Sequence, residues 1–274
     1  MYKNKGVRLN DSRFEFGKNW SKYIENLTEN KIQEAEAYLC EMLHLDCLKD
    51  MRFLDVGCGS GIFSLAARNL GASVHSFDYD INSVECTKRL KDKYYTDDHN
   101  WIIEQGSVLD KEYMRSLGKF DVIYSWGVLH HTGDMNSALK NVVLPVKKGS
   151  SLFIAIYNDQ NYKSVLWNKI KQIYNKTPEN LRFLILLPCL IILWGPITIR
   201  DFIKLKPFTT WNNYNSYRGM DPWTDLIDWV GGYPFEVAYP EEIFRFYFEK
   251  GFKLTNLKTC AGGLGCNQFV FIKE

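Results

Sequence analysis

One stretch, Phe53-Leu54-Asp55-Val56-Gly57-Cys58-Gly59-Ser60-Gly61-Ile62-Phe63, constrains the fold of this chain more than any other. A short apolar run carrying an acid gives way to three glycines alternating with small residues, and an apolar-periodic segment follows. That is the pattern of a buried strand, a tight turn and a helix N-terminus. Glycine accepts positive φ and lets a ligand approach the backbone closely. The helix start adds free N–H groups and the positive end of a dipole. The combination points to a nucleotide-cofactor site.

The remainder of the chain supplies the sheet around that turn. From Met51 the pattern alternates strand and helix, which predicts an α/β fold with a doubly wound, mostly parallel sheet. Strands are expected at Arg52–Val56, Ser73–Phe77, Trp101–Glu104, Asp121–Ser125 and Leu152–Ile156, with helices at about Gly61–Leu70 and Asn82–Tyr94. Thr28–Leu45 reads as an amphipathic helix with Ile32, Ala35, Leu39, Met42 and Leu43 on one face. A last helix, Pro240–Lys250, precedes strands at Lys253–Lys258 and Gln268–Ile272. Their glycine-rich connection is too short for a helical crossover, so these two strands should be antiparallel. The expected organisation is an aromatic and helical cap (1–50), a cofactor-binding core (51–156), a largely helical insertion covering the substrate (157–240), and a closing helix and strand pair (241–274).

Charge and cysteine content exclude several classes. The net charge is +2 with both signs interspersed, whereas a nucleic-acid binder would show a basic face or stripe. The seven cysteines form no C-x-x-C pair, which argues against a zinc site or a disulfide framework and for reduced thiols in a cytoplasmic protein. Met1-Tyr2-Lys3-Asn4-Lys5 leads into polar residues, so no secretory leader is expected.

Which cofactor follows from the acids. A dinucleotide turn carries G-x-G-x-x-G and receives a pyrophosphate. Here Gly57, Gly59 and Gly61 are spaced G-x-G-x-G, and Asp55 sits two residues before the first. A carboxylate there repels a pyrophosphate and attracts an ammonium. S-adenosylmethionine (SAM) carries an ammonium and a sulfonium and has no phosphate. Asp78 closes the second strand, about 20 residues beyond the glycines, where a carboxylate can hold both ribose hydroxyls. Gln105-Gly106-Ser107-Val108-Leu109-Asp110 follows the third strand, in a place to meet the adenine.

LDVGCGSG, HSFDYD, EQGSVLD and FDVIYSWGVLHHTGD, in this order, resemble the successive motifs of the class I SAM-dependent methyltransferases, and EEIFRFYFEKGF with the two final strands is similar as well. Within that superfamily the chain looks like the ubiquinone-biosynthesis-type small-molecule methyltransferases. RFEFGKNW, IAIYNDQ, RGMDPWTDLIDWVGGYPFEVA and LGCNQF also resemble a bacterial subgroup of uncharacterised or cell-surface-biosynthesis methyltransferases. The resemblance implies a seven-stranded sheet with its last strand reversed. It also implies cofactor roles for Asp55, Gly57, Gly59, Asp78 and the Ser107-Val108 pair, to which the neighbouring Cys58, Gly61, Tyr79 and Ser125 are added as candidates. Ser107 stands where the family often has an acid for the adenine amino group.

Methyl transfer is an in-line displacement, and a hydroxyl acceptor gives up its proton as it attacks, which suits a base with pKa near 7. His130 and His131 lie just beyond the fourth strand, and His131 is the first candidate base, His130 the second. A metal held by both histidines and Asp134 lacks further ligands nearby, so no metal is expected. Tyr157, Asn158, Arg218, Trp223, Tyr233 and Glu236 are candidate substrate-binding residues, Glu236 also a second-rank base. Arg218 offers a planar fork for a phosphate or carboxylate, or a salt bridge to Asp221 or Asp225. Phe14, Phe16 and Trp20 either pack on the domain or form an aromatic flap over the site.

The expected activity is methyl transfer from SAM, with S-adenosylhomocysteine (SAH) as product, to a small or carrier-linked hydroxyl acceptor. A nucleotide-activated sugar or other surface-polysaccharide precursor fits, as does a phenol or quinone precursor. Transfer to nitrogen or to a phosphate oxygen is the alternative, with an NAD-dependent oxidoreductase or a non-catalytic SAM-binding protein more distant. Phe183–Ile199 is free of charge and near the lower length limit for a membrane span. Pro188 and Gly195-Pro196 should break it into a buried or dimer-forming helix pair, with peripheral contact to a membrane or a lipid-like substrate as the other reading.

Overall fold

The computed structural model describes residues 14, 16, 17, 20, 24, 27–214 and 222–274. Contacts divide them into two units. One comprises 27–161 and 236–274 with Phe16, Gly17, Trp20 and Ile24; the other comprises 162–214 and 222–235 with Phe14.

The first unit is built on β1 (Arg52–Val56), β2 (Ser73–Asp78), β3 (Trp101–Gln105), β4 (Phe120–Trp126), β5 (Val146–Tyr157), β6 (Phe252–Lys258) and β7 (Cys266–Lys273). These form one sheet in the order β3-β2-β1-β4-β5-β7-β6. Pairing is parallel from β3 through β5, and β7 runs antiparallel to both β5 and β6. The strand order reverses between β1 and β4, and ligands of such sheets sit beyond the carboxyl ends of the strands at that point. The glycine turn after β1 and the histidine segment after β4 both lie there.

Between the strands run α2 (Ile62–Asn69), α3 (Ile81–Tyr94), α4 (Lys111–Ser116), α5 (Met135–Asn141) and α10 (Pro240–Phe248). Three start on an aspartate whose side chain accepts a backbone N–H of the first turn: Asp80 for α3, Asp110 for α4 and Asp134 for α5. Helix α1 (Glu29–Leu43) buries Ile32, Ala35, Leu39, Met42 and Leu43, the face its periodicity predicts. It packs into one core with Phe53, Trp101, Val122 and Phe153 of the sheet, so it is part of the core unit and not a separate cap. The opposite sheet face buries Leu54, Phe77, Ile123, Tyr247 and Phe271.

The second unit holds α6 (Tyr162–Lys176), α7 (Phe183–Ile203), the short α8 (Thr209–Asn212) and α9 (Pro222–Gly231), with α9 packed on α6 and α7. The expected break in the apolar segment does not occur: α7 is one helix of 21 residues with Pro188 and Pro196 inside it. A proline withholds the bond to the carbonyl four residues earlier. Here those are Leu184 and Ile192, both residues of the exposed face (59% and 62%). The segment is not buried either, with Leu187 and Ile191 more than half exposed. Inside this unit Lys171 is fully buried. Its ammonium donates to the Trp229 carbonyl and lies 4.5 Å from the Trp229 ring and 4.8 Å from the Phe235 ring. Burial pulls its pKa down to about 7.

Candidate cofactor and active site

The turn after β1 is held from below by β2. Gly57 and Cys58 both donate their N–H to the Phe77 carbonyl, at 2.8 and 3.1 Å. Gly57, Gly59 and Gly61 all have positive φ. At Gly57 a Cβ would meet Val128 at 2.5 Å, and at Gly61 it would meet Thr87 at 2.8 Å. Only glycine lets β1, α3 and the loop after β4 close on this turn.

Both carboxylates predicted to serve the cofactor lie at the turn, in different states. Asp78 accepts the Gly59 N–H on Oδ2 at 3.0 Å and the Asp80 N–H on Oδ1 at 2.8 Å. Asp55 is 2% exposed, and its Oδ2 accepts the Ser64 hydroxyl at 2.5 Å. Burial raises its carboxyl to about 7, against the lowering effect of that hydroxyl, and the charge of Asp78 pushes it further up. Ser64 Oγ is also 2.7 Å from Ser76 Oγ, which accepts the Trp101 indole N–H at 2.9 Å. A buried polar chain thus runs from β1 through α2 and β2 to β3. Sequence reading missed Ser64, Ser76 and Trp101. The available signal was a lone hydroxyl in the apolar run Ile62-Phe63-Ser64-Leu65-Ala66.

A turn framed by two carboxylates, with its glycine backbone open to close approach, suits a cation-bearing, phosphate-free ligand. The donor set therefore fits SAM. The aromatic residues upstream add to this: a Cβ on Gly59 would meet the Trp20 indole at 3.3 Å, and the Phe16 ring lies 5.1 Å from that of His131. Phe16 and Trp20 therefore sit over the glycine turn and the histidine segment. Phe14 instead belongs to the second unit, donating its N–H to the Tyr233 carbonyl.

Four residues predicted to line the site also have structural duties. Ser125 is fully buried and donates to the Val56 carbonyl at 3.1 Å, tying β4 to β1. The Val108 side chain is buried in the sheet core, since the segment after β3 turns inward to start α4. Cys58 is buried, accepts the Thr87 hydroxyl at 3.2 Å, and has its thiol pushed up by burial. Asn158 accepts from the Asn267 amide at 3.0 Å and donates to the Gly263 carbonyl at 3.4 Å, anchoring the β6–β7 hairpin to the end of β5. Ser107 accepts the Leu109 N–H at 3.2 Å, and Tyr79 is half exposed, its carbonyl accepting from Gln105 at 3.0 Å.

Beyond β4 the chain makes a 3₁₀ turn, Leu129–His131, that buries both histidines. The His130 ring lies 4.0 Å and the His131 ring 5.3 Å from Tyr157 at the end of β5. Glu236 joins them from the far end of the chain, donating its backbone N–H to the His130 carbonyl at 2.9 Å. Its Oε2 accepts the Met135 N–H at 2.9 Å. Burial raises its carboxyl to about 7, with the Met135 N–H opposing and Asp134 reinforcing. His130, His131, Tyr157 and Glu236 are thus one cluster at the ligand-bearing end of the sheet. Trp223 and Tyr233 belong to the second unit, the first in α9 and half exposed, the second buried. Arg218 and Asp221 lie outside the described residues.

Residues 28–181 match the family described as a methyltransferase domain. A curated ubiquinone biosynthesis O-methyltransferase from Pelagibacter ubique is 29% identical over 161 residues, 58% of each chain. One from Coxiella burnetii is 28% identical over 176 residues, 64% of this chain and 66% of that one. The match therefore spans less than two thirds of the length of these relatives. Among solved structures, a magnesium protoporphyrin IX methyltransferase from Synechocystis with bound SAH aligns over 94% of both chains at a TM-score of 0.55 and 11% identity. A SAM-dependent methyltransferase from Anabaena variabilis aligns over 100% of both at 0.54 and 12%. At those identities the likeness is one of fold.

Proposed function

The chain belongs to the methyltransferase-domain family, with SAM as its cofactor, and on that premise we propose that it methylates a hydroxyl oxygen of a small or carrier-linked acceptor. The observation that carries this reading is the convergence of His130, His131 and Glu236 at the end of β4 and β5, with the Glu236 carboxyl raised to about 7. Oxygen acceptors need a base poised near neutrality; amines, once deprotonated, do not. The relatives from Pelagibacter ubique and Coxiella burnetii, O-methyltransferases of ubiquinone biosynthesis, favour a phenol or quinone precursor over a nucleotide-activated sugar.

Bound SAM supplies an electrophilic methyl group on a sulfonium. The protein aligns the acceptor and removes its proton. Gly57 and Gly59 offer backbone at the turn, Asp78 is placed for the ribose hydroxyls, and the ionised form of Asp55 favours a nearby ammonium. His131 takes the acceptor proton, and Glu236 balances the charge in the same cluster. Phe16 and Trp20 exclude water. Holding reactants in line is worth roughly 7–11 kcal/mol, so positioning does most of the work.

The test is SAH release with catechols, polyprenyl-phenol analogues, nucleotide sugars and amines offered in turn. Turnover on hydroxyl acceptors supports the reading. Turnover on amines alone, or titration heat with NAD and none with SAM, overturns it.

A further inference from the structure

Helix α7 of the second unit has two opposite faces. Leu186, Cys189, Trp194 and Asp201 are buried, and with the helical repeat they form one stripe, on the side packed against α9. The other stripe, Leu184, Leu187, Ile191, Ile199 and Ile203, is exposed at 56–77%. Most of this apolar helix lies outside the protein interior. An apolar face of this extent is foreign to water. On α6 the exposed Tyr162, Leu166 and Ile173 continue the same character.

Charge identifies what covers the face. Residues 162–214 contain Lys163, Lys169, Lys176, Lys204 and Lys206 besides Lys171, Arg182 and Arg200, and their only acids are Glu179 and Asp201. Asp201 is engaged by the Thr210 N–H and hydroxyl, each at 2.8 Å. The whole chain is +2, so this one segment is strongly cationic and the rest is net acidic. A second copy docked through this same face would bring like charge against like. An anionic bilayer surface offers acyl chains to the apolar stripe and headgroups to the flanking lysines.

We propose that the second unit docks on an anionic lipid surface with α7 lying in the membrane plane. A spanning helix would meet lipid all round, whereas α7 has one side packed on α9, an amphipathic helix carrying Asp225 and Asp228. The attachment is peripheral and involves no residue of the cofactor turn or histidine cluster.

Co-sedimentation of the full chain with phosphatidylcholine vesicles, with and without phosphatidylglycerol, tests this. Binding should require the anionic lipid and weaken with salt. Leu187→Glu with Ile191→Glu should lower partitioning at least about tenfold. Lys204→Gln and Lys206→Gln should each lower it about fivefold. All three variants should keep wild-type melting temperature and SAH affinity, which separates lost docking from lost folding. Absence of binding to either vesicle, or equal binding to both, overturns the proposal. Resistance to alkaline carbonate extraction overturns it in favour of a spanning helix. Self-association abolished by the double glutamate variant, without vesicle binding, assigns the face to a second copy.

Discussion

Asp55 and Ser64 share a hydrogen bond of 2.5 Å beneath the glycine turn, and Ser64 passes the connection on to Ser76. The acid that the sequence marks as a ligand for an ammonium is thereby tethered to the first turn of α2, out of water. Its tether fixes where the carboxyl points and how readily it ionises. The cofactor turn is therefore one end of a polar chain crossing three strands, and changes along that chain are felt at the turn.

Ser64→Ala removes the donor to Asp55 and the partner of Ser76 in one step. A buried polar group left unsatisfied costs about 1–3 kcal/mol. Urea unfolding should show a loss of that size with an unchanged m-value. SAM affinity should fall as well, because the Asp55 carboxyl loses its orientation. Wild-type stability would mean the chain is not coupled to the fold.

The raised Asp55 ionisation has a definite sign. Its carboxyl sits near 7 in the folded protein and about 3.9 when unfolded. Its contribution to stability is complete below the unfolded value and is lost as pH rises through the folded one. The ligand-free protein should accordingly lose stability between about pH 4 and 7, and Asp55→Asn should flatten that slope. An ammonium bound nearby reverses the preference by favouring the carboxylate, so SAM binding near pH 6 should release a proton. Titration calorimetry in buffers of different ionisation enthalpy reads that release directly; Asp55→Asn should show none.

The core of this fold was legible because its signals are local. Strand β1 is an apolar run carrying an acid and followed by glycine, β2 is a short stretch closed by Asp78, and the G-x-G-x-G turn with Asp55 fixes the cofactor class without tertiary information. β5 is seven residues longer than expected, six of them before Leu152, where the exposed Lys147, Lys148 and Gly149 hide the strand from hydropathy. Helices α4 and α5, of six and seven residues, are too short to show a period. The side-chain contacts of Ser125, Val108 and Asn158 were not legible, because sequence gives a residue's place in the chain while packing decides the direction of its side chain. The convergence of Glu236 on His130 joins positions 106 residues apart in sequence, and no local pattern reports such a pairing. For α7, proline reads as a breaker in sequence, whereas the helix runs on through Pro188 and Pro196, four residues beyond the exposed Leu184 and Ile192.

The histidine cluster predicts a split between two variants. His131→Ala should lower kcat by about 10²–10⁴ with SAM affinity near wild type, since the carboxylates and glycines assigned to the cofactor are left intact. Glu236→Gln keeps the shape and removes an ionisation near 7. Wild-type turnover should rise with pH up to about 7 and level off, as deprotonation of the cluster is required, and Glu236→Gln should displace that acidic limb at a cost below about tenfold. A pH–rate profile unchanged by Glu236→Gln would take the carboxyl out of the mechanism, and unchanged turnover in His131→Ala would remove the base assignment.

Tyr124 gives a prediction of opposite direction. Its ring packs against Phe53, Phe63 and Phe153 at 5.8, 5.0 and 5.1 Å between centroids. Its hydroxyl is buried without a hydrogen-bond partner among the described residues. Burial and the nearby Asp55 both push its ionisation up, so the group is a neutral, desolvated hydroxyl. Removing it should relieve a penalty of about 1–3 kcal/mol while the aromatic contacts persist. Tyr124→Phe should therefore raise the urea midpoint of the ligand-free protein. Repeating the titration with saturating SAM adds the informative half: an equal gain in both states marks the hydroxyl as purely a folding cost. A gain that vanishes with SAM means the cofactor satisfies the hydroxyl, which would place Tyr124 in the binding site beside Asp55.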